Sequence, residues 1–195
     1  MSITQETAAA FPEFLPLRRF STFDYLQMIE AGVLGRRDRL ELIGGMIVEM
    51  SPAGIPNNHI LIRIIELFGP LLGRFQFIVQ GTLTVADGQV FDPDFTLLRR
   101  REDGYKTKLP GAADVLLVIE AAESSLRRDQ QIKLPVYANA GIAEYWIADL
   151  DRETLIVHRD PDGNKYRGTK SFSGDDLVSP LACPEFSFAV RKLFD

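Results

Sequence analysis

Five apolar residues in a row, Val115-Leu116-Leu117-Val118-Ile119, lead directly into Glu120, and no other feature of the chain restricts its fold as much. A run without polar alternation belongs to a strand covered on both faces, so structure must lie on either side of a sheet. The chain has 195 residues with 46% hydrophobic and 25% charged content, which is enough to supply those layers. A domain of this size buries roughly 70% of its unfolded surface. The expected class is α/β.

Other segments fill in the pattern. Residues 1–17 lack periodicity and read as a flexible N-terminal arm, leaving 18–195 as a single domain. Ser21 and Asp24 have capping-box spacing ahead of Tyr25, Leu26 and Ile29, and Gly32 should end that first helix. The run LELIGGMIVEM reads as a hairpin around Gly44-Gly45, with Glu41 and Glu49 on opposite arms. Ile60, Ile64, Leu67 and Leu71 recur at helical spacing, with Asn58 as the expected cap and Pro70 as a break. QFIVQ, TLTVA and QVFDPDFTLL read as a meander or hairpin pair with a turn at Asp87-Gly88. Residues 125–140 should be helical despite Pro135, with Gly141 as the stop. EYWIAD and TLIVHR then form a hairpin, in which Tyr137, Tyr145, Trp146 and His158 read as packing residues.

Several classes are disfavoured. The single cysteine, Cys183, cannot close an intrachain disulfide, and no Cys/His cluster has zinc-site spacing, so a reducing cytoplasm is the simplest location. No apolar stretch reaches the roughly 18 residues of a membrane span, and the N-terminus lacks a signal-peptide pattern. A net charge of −5 argues against non-specific coating of nucleic acid. Arg99, Arg100, Arg101, Arg127 and Arg128 remain as local patches that either meet a phosphate backbone or are simply solvated.

The residues that carry chemistry are acids placed where apolar sequence surrounds them. Phe91-Asp92-Pro93-Asp94-Phe95 interrupts a strand-like run, and Glu120 follows another. Carboxylates at such positions are costly unless paired, solvated or bound to a cation. Two of them, Asp94 and Glu120, suit Mg2+, with Mn2+ as a substitute, because magnesium takes oxygen ligands, usually one or two carboxylates completed by water and substrate phosphate. Lys133, on the following helix, could reach back and stabilise charge on a phosphoryl group. The plain alternative for it is a surface ion pair with Asp129, worth a few tenths of a kcal/mol.

The order of these pieces resembles the Uma2 family, a restriction-endonuclease-like branch of the PD-(D/E)xK nuclease superfamily. The resemblance runs from about Leu40 to Tyr166 through ELIGGMIVEMSPAG, DPDF, VIEAAESS, the Asp129/Lys133 helix, YANAGIAEYWIADL and VHRDPDGNKY. It implies a mixed central β-sheet flanked by helices, with Asp94 and Glu120 as metal ligands and Lys133 as the helix lysine of a catalytic trio acting on DNA. Glu41 and His59 are second-tier candidates for a ligand or substrate contact, and a homodimer is implied by analogy. Two departures stand out. The superfamily's lysine two residues beyond the glutamate is Ala122 here, and where the family tends to show Glu-Val followed by Ser-Pro-Ser, Glu120 is followed by Ala121, Ala122 and Glu123. The lysine function therefore falls to Lys133 or is lost. The competing reading is a nuclease-like fold kept as a catalytically weakened binding or interaction module.

Overall fold

The structure, a computed structural model, describes residues 16–35, 38–50, 54–123 and 125–195, so the expected arm falls almost wholly outside the described residues. The chain opens with α1 (Thr22–Glu30), the hairpin β1 (Leu40–Ile43) and β2 (Met46–Glu49), and α2 (Ile55–Phe68). Strands β3 (Gln76–Val79), β4 (Leu83–Ala86), β5 (Gln89–Phe91), β6 (Phe95–Leu98) and β7 (Val115–Ala122) follow. A helical stretch comes next, made of α3 (Leu126–Arg128), a π-helical turn (Asp129–Lys133) and α4 (Leu134–Asn139). Strands β8 (Glu144–Asp149), β9 (Thr154–Asp162), β10 (Lys165–Ser173), β11 (Leu177–Val178) and β12 (Phe188–Ala189) complete it.

Six strands form the central sheet in the order β10-β9-β8-β7-β6-β3. Among the described residues its one parallel pair is β7 with β8, because only there does a helical crossover return the chain in the same direction. A second, antiparallel sheet runs β2-β1-β5-β4. The result is the expected mixed sheet flanked by helices.

Strand β7 shows why its sequence is apolar throughout. Leu117, Ile119 and Ala121 pack toward α2 with Ile60, Ile64 and Phe68. Val118 and Ala122 pack on the opposite side with Tyr137, Ala138 and Tyr145. Each such aliphatic side chain contributes roughly 1.5–3 kcal/mol by leaving water. The strand continues past Glu120 to Ala122, so the glutamate lies inside the strand and does not end it.

The local signals were mostly sound. The Ser21/Asp24 capping box forms, and Gly44 and Gly45 both take positive φ in the hairpin turn. Gly141 (φ +73°) closes α4 with its own N–H on Ala138 O and that of Ile142 on Tyr137 O. Two readings change. α2 begins at Gly54 with Pro56 in its first turn, ahead of the expected Asn58 cap, because proline's fixed φ already suits that turn. β3 does not form a meander with β4; it pairs with β6, while β4 and β5 form a hairpin in the other sheet. The run QVFDPDFTLL is therefore two strands, and Asp92-Pro93-Asp94 is the crossing between sheets, where a residue without an N–H costs no ladder bond. Among the described residues, no helix is long and apolar enough to cross a membrane.

Candidate active site

That crossing sets Asp94 immediately before β6, at the start of an inner strand that lies between β7 and β3 in the central sheet. β6 and β7 pair with Phe95 opposite Ile119, and the Ala121 N–H donates to Asp94 Oδ2 at 2.9 Å. Asp94 Oδ1 accepts the Gln80 side-chain amide at 3.3 Å. Side-chain alternation along β7 sends Glu120 to the face of Val118 and Ala122, which is the face covered by α3 and α4.

Lys133 comes down onto Glu120 from that helical stretch. Its Nζ lies 2.8 Å from Glu120 Oε1 and 3.1 Å from Glu41 Oε1, and it is 1% exposed. Tyr137, one turn on, donates its hydroxyl to the same Glu120 oxygen at 3.2 Å. The ammonium also sits 5.7 Å from the centre of the Phe91 ring. The surface Asp129–Lys133 pair is not what forms. Asp129 is itself 1% exposed and accepts the Ser125 hydroxyl at 2.7 Å, while the lysine bridges two other carboxylates. Asp129 and Lys133, four residues apart and so on one helix face, both point inward at the two ends of a π-helical turn, and such turns recur at functional sites. Ala122 is fully buried against the cluster that contains Tyr137, leaving no room for a lysine from the strand.

Glu41 belongs to this cluster. The alternative of a solvent-facing hairpin acid fails, because Glu41 is 1% exposed and also accepts the Asp92 N–H at 3.2 Å. His59 is not brought here. It is exposed at the start of α2 and meets the Asp195 carbonyl at 3.0 Å. His158 is a packing residue, stacked on Tyr145, hydrogen-bonded to Thr169 and pushed down to about 4 by burial. Tyr137, Tyr145 and Trp146 are fully buried, as expected for core. Glu123 reaches toward the start of α2, close to Gly54. Arg99 and Arg101 hold the Ala113 carbonyl and Asp103 at the far end of β6 from Asp94.

The electrostatics follow from crowding acids around one cation. Burial pushes the Glu120 carboxyl up to about 8; Lys133 opposes that shift, and the charges of Asp129, Asp94 and Glu41 add to it. Burial alone would lower the lysine, but Glu120, Glu41 and Asp129 outweigh it and hold the ammonium charged well above its ordinary range. Asp129 is raised mainly by burial, against the pull of Lys133. Among the described residues, Glu41 Oε2, Asp129 Oδ1 and the Tyr145 hydroxyl are buried without a hydrogen-bond partner. Sequence reasoning missed Tyr137 and Gln80 as members of the site, and took Asp129 for a surface residue. The four-residue spacing of 129, 133 and 137, one helix face, was the available signal.

The donor set suits a hard divalent cation. All its oxygens are carboxylates, their number exceeds the one lysine, and Glu41 Oε2 is buried without a partner. Among the described residues no three acidic, histidine or cysteine side chains close a cage by themselves. Asp94 and Glu120 are the carboxylates that could contribute to an open site, whose remaining ligands would be water and substrate oxygen.

The Uma2 family profile, described as "Putative restriction endonuclease", matches residues 23–191. No curated protein matches the chain. The fold is similar to the crystal structure of "a putative nuclease belonging to DUF820" from Anabaena variabilis ATCC 29413, with a TM-score of 0.73 and 17% identity. That likeness covers 92% of this chain and 98% of the other.

Proposed function

The chain belongs to the Uma2 family, and from that premise we propose that it is a metal-dependent endonuclease that hydrolyses phosphodiester bonds in DNA. The observation that supports this most is the buried Lys133 ammonium, held between Glu41 and Glu120 on the strand beside Asp94. Buried charge of this kind is seldom a gain in stability over apolar packing, so its retention speaks for chemistry.

Asp94 and Glu120 would hold Mg2+ or Mn2+. Such a cation acidifies the attacking water and neutralises charge on the leaving oxygen. The protein's part is to fix the groups around it. The Ala121 N–H and the Gln80 amide hold both oxygens of Asp94, and the Tyr137 hydroxyl steadies Glu120. Lys133, kept charged by its two carboxylates, is the donor aimed at a phosphoryl oxygen on which charge develops. The acidic net charge leaves substrate capture to local cations, and Arg127 and Arg128 lie on the helix directly after β7.

The test is cleavage of supercoiled and linear DNA with magnesium, manganese or EDTA, run beside Asp94→Ala and Lys133→Ala. Metal-dependent cutting lost in both variants supports the reading. Folded wild-type protein that cuts no DNA under any of these conditions overturns it in favour of a binding module.

A further inference from the structure

Helix α2 carries apolar residues on two opposite faces, and the sheet covers only one. Ile60, Leu61, Ile64 and Phe68 are buried in the core shared with β7. On the other side Ile62 and Ile65 are exposed and Ile55 is 86% exposed, and Leu72, just past the 3-10 turn Gly69–Leu71 that continues the helix, is exposed as well. Single exposed apolar side chains are ordinary, but four along one helix edge mark a contact surface. Positions 55, 58, 62, 65, 69 and 72 alternate in steps of three and four, the a/d seam of two packed helices, and here they read Ile-Asn-Ile-Ile-Gly-Leu. A Cβ on Gly69 would meet nothing within 4 Å, so the seam has a notch at that point.

This seam is complementary to itself when a second α2 runs antiparallel. Each a position then faces a d position of the other helix. Ile62 of one copy meets Ile65 of the other, Ile55 meets Leu72, and Asn58 enters the notch at Gly69, each contact occurring twice about a two-fold axis. Charge selects between this arrangement and the parallel one. Arg63 and Glu66, an ion pair within the helix at 2.6 Å, flank the seam on the same side as the exposed His59. In the antiparallel pair each Glu66 lies between His59 and Arg63 of the other copy. A parallel pair would set glutamate against glutamate and arginine against arginine, which is unfavourable.

We infer that this face docks a second copy of the chain, through antiparallel α2–α2 packing that forms a symmetric dimer. The inference stands independently of the nuclease reading. α2 starts beside Glu123, just past the Glu120 end of β7, so the pairing directs the two candidate active sites to opposite ends of the helix pair. Two helices of this length bury less than the roughly 1,600 Å² of a standard interface, so the dimer is weak and concentration-dependent.

Sedimentation velocity of the full chain between about 5 and 500 µM should show the mass rising from monomer toward dimer, as a small interface requires. Ile62→Glu, shown to be folded by a thermal melt, should weaken association at least about tenfold, whereas Ile132→Glu, at an exposed position on the crossover helix across the sheet, should not. Arg63→Glu and Glu66→Arg should each weaken it about fivefold, and the two together should return it to within about twofold of wild type. Ile62→Cys mixed with Ile65→Cys should cross-link under mild oxidation, whereas Ile55→Cys alone should not, because its two copies lie roughly 25 Å apart along the helix pair. The native Cys183 is buried and does not interfere. A chain that stays monomeric at the highest concentration, a dimer unaffected by Ile62→Glu, or ready cross-linking of Ile55→Cys with itself overturns the inference. So does a monomeric wild type that Ile62→Glu destabilises, since another part of this chain would then be the cover.

Discussion

Replacing Lys133 with Met keeps the length of the side chain and removes its charge, leaving Glu41 and Glu120 buried and facing each other. Both are below 5% exposed, so neither carboxylate can recover its hydration in place. Removing one partner of a buried ion pair costs about 3–5 kcal/mol. For a chain of this size each kcal/mol lowers Tm by roughly 2–4 °C, so at pH 8 the variant should melt roughly 6–20 °C below wild type. At pH 5 the Glu120 carboxyl, raised by burial, takes up a proton, and the loss should shrink toward about 1 kcal/mol, the scale of a volume-conserving core change. Adding Glu120→Gln to Lys133→Met removes one of the stranded charges and should restore at least half of the loss at pH 8 without restoring DNA cleavage. Differential scanning calorimetry of the two variants and wild type at both pH values gives the numbers. Equal losses at pH 5 and pH 8 would refute the reasoning, because packing would then be the cause. So would a variant as stable as wild type at pH 8.

Three further outcomes follow from the same geometry. The Glu120 carboxyl is raised in the folded state, so its contribution to stability is complete below its ordinary range near 4.5 and is lost as pH rises through about 8. Wild type should therefore lose more stability between pH 5 and pH 8 than Glu120→Gln does, and 10 mM magnesium should reduce that difference, as melts across pH will show. Asp129→Asn keeps an acceptor for Ser125 but removes a buried charge with an unpartnered oxygen, so it should stabilise the fold by about 1 kcal/mol while lowering cleavage; a variant both less stable and fully active would contradict this. Gly45→Ala should cost at least about 1 kcal/mol in a denaturant titration, because φ is +76° and the new Cβ would meet Arg19 Cβ at 2.6 Å and the Phe20 carbonyl at 3.0 Å.

What the sequence made legible were the features set by local rules. The Ser21/Asp24 box, the Gly44-Gly45 turn, the Gly141 stop and the doubly covered β7 each depend on neighbours within a few residues, and the structure shows all four. Strand pairing was less legible. β3 and β4 are both short, largely apolar strands separated by only a few residues, yet they enter different sheets, since pairing depends on which distant edge each strand can cover. For the site, Asp94, Glu120 and Lys133 could be named as acids and a base out of place in apolar surroundings. Their burial could not be, because an acid and a base four residues apart on a helix read equally well as a surface ion pair.

The covering helix accounts for how this chain manages without a lysine at position 122. A lysine two residues beyond Glu120 on β7 would share its face of the sheet, but Ala122 there is packed against the cluster of Tyr137 and Ala138, with no space for four methylenes. Delivering the ammonium from the covering helix instead requires a long side chain to travel inward from a layer above the sheet. Residues four apart share one helix face, so Asp129, Lys133 and Tyr137 all turn inward from it. A π-helical turn spans Asp129–Lys133, and Pro135, which lacks an N–H, follows two residues after it. Glu41 then comes from the second sheet to meet the lysine's other side. The ammonium is thus fixed from three separate elements, β1, β7 and the crossover helix, so a change that shifts any one of them relative to the others should lower activity before it unfolds the protein.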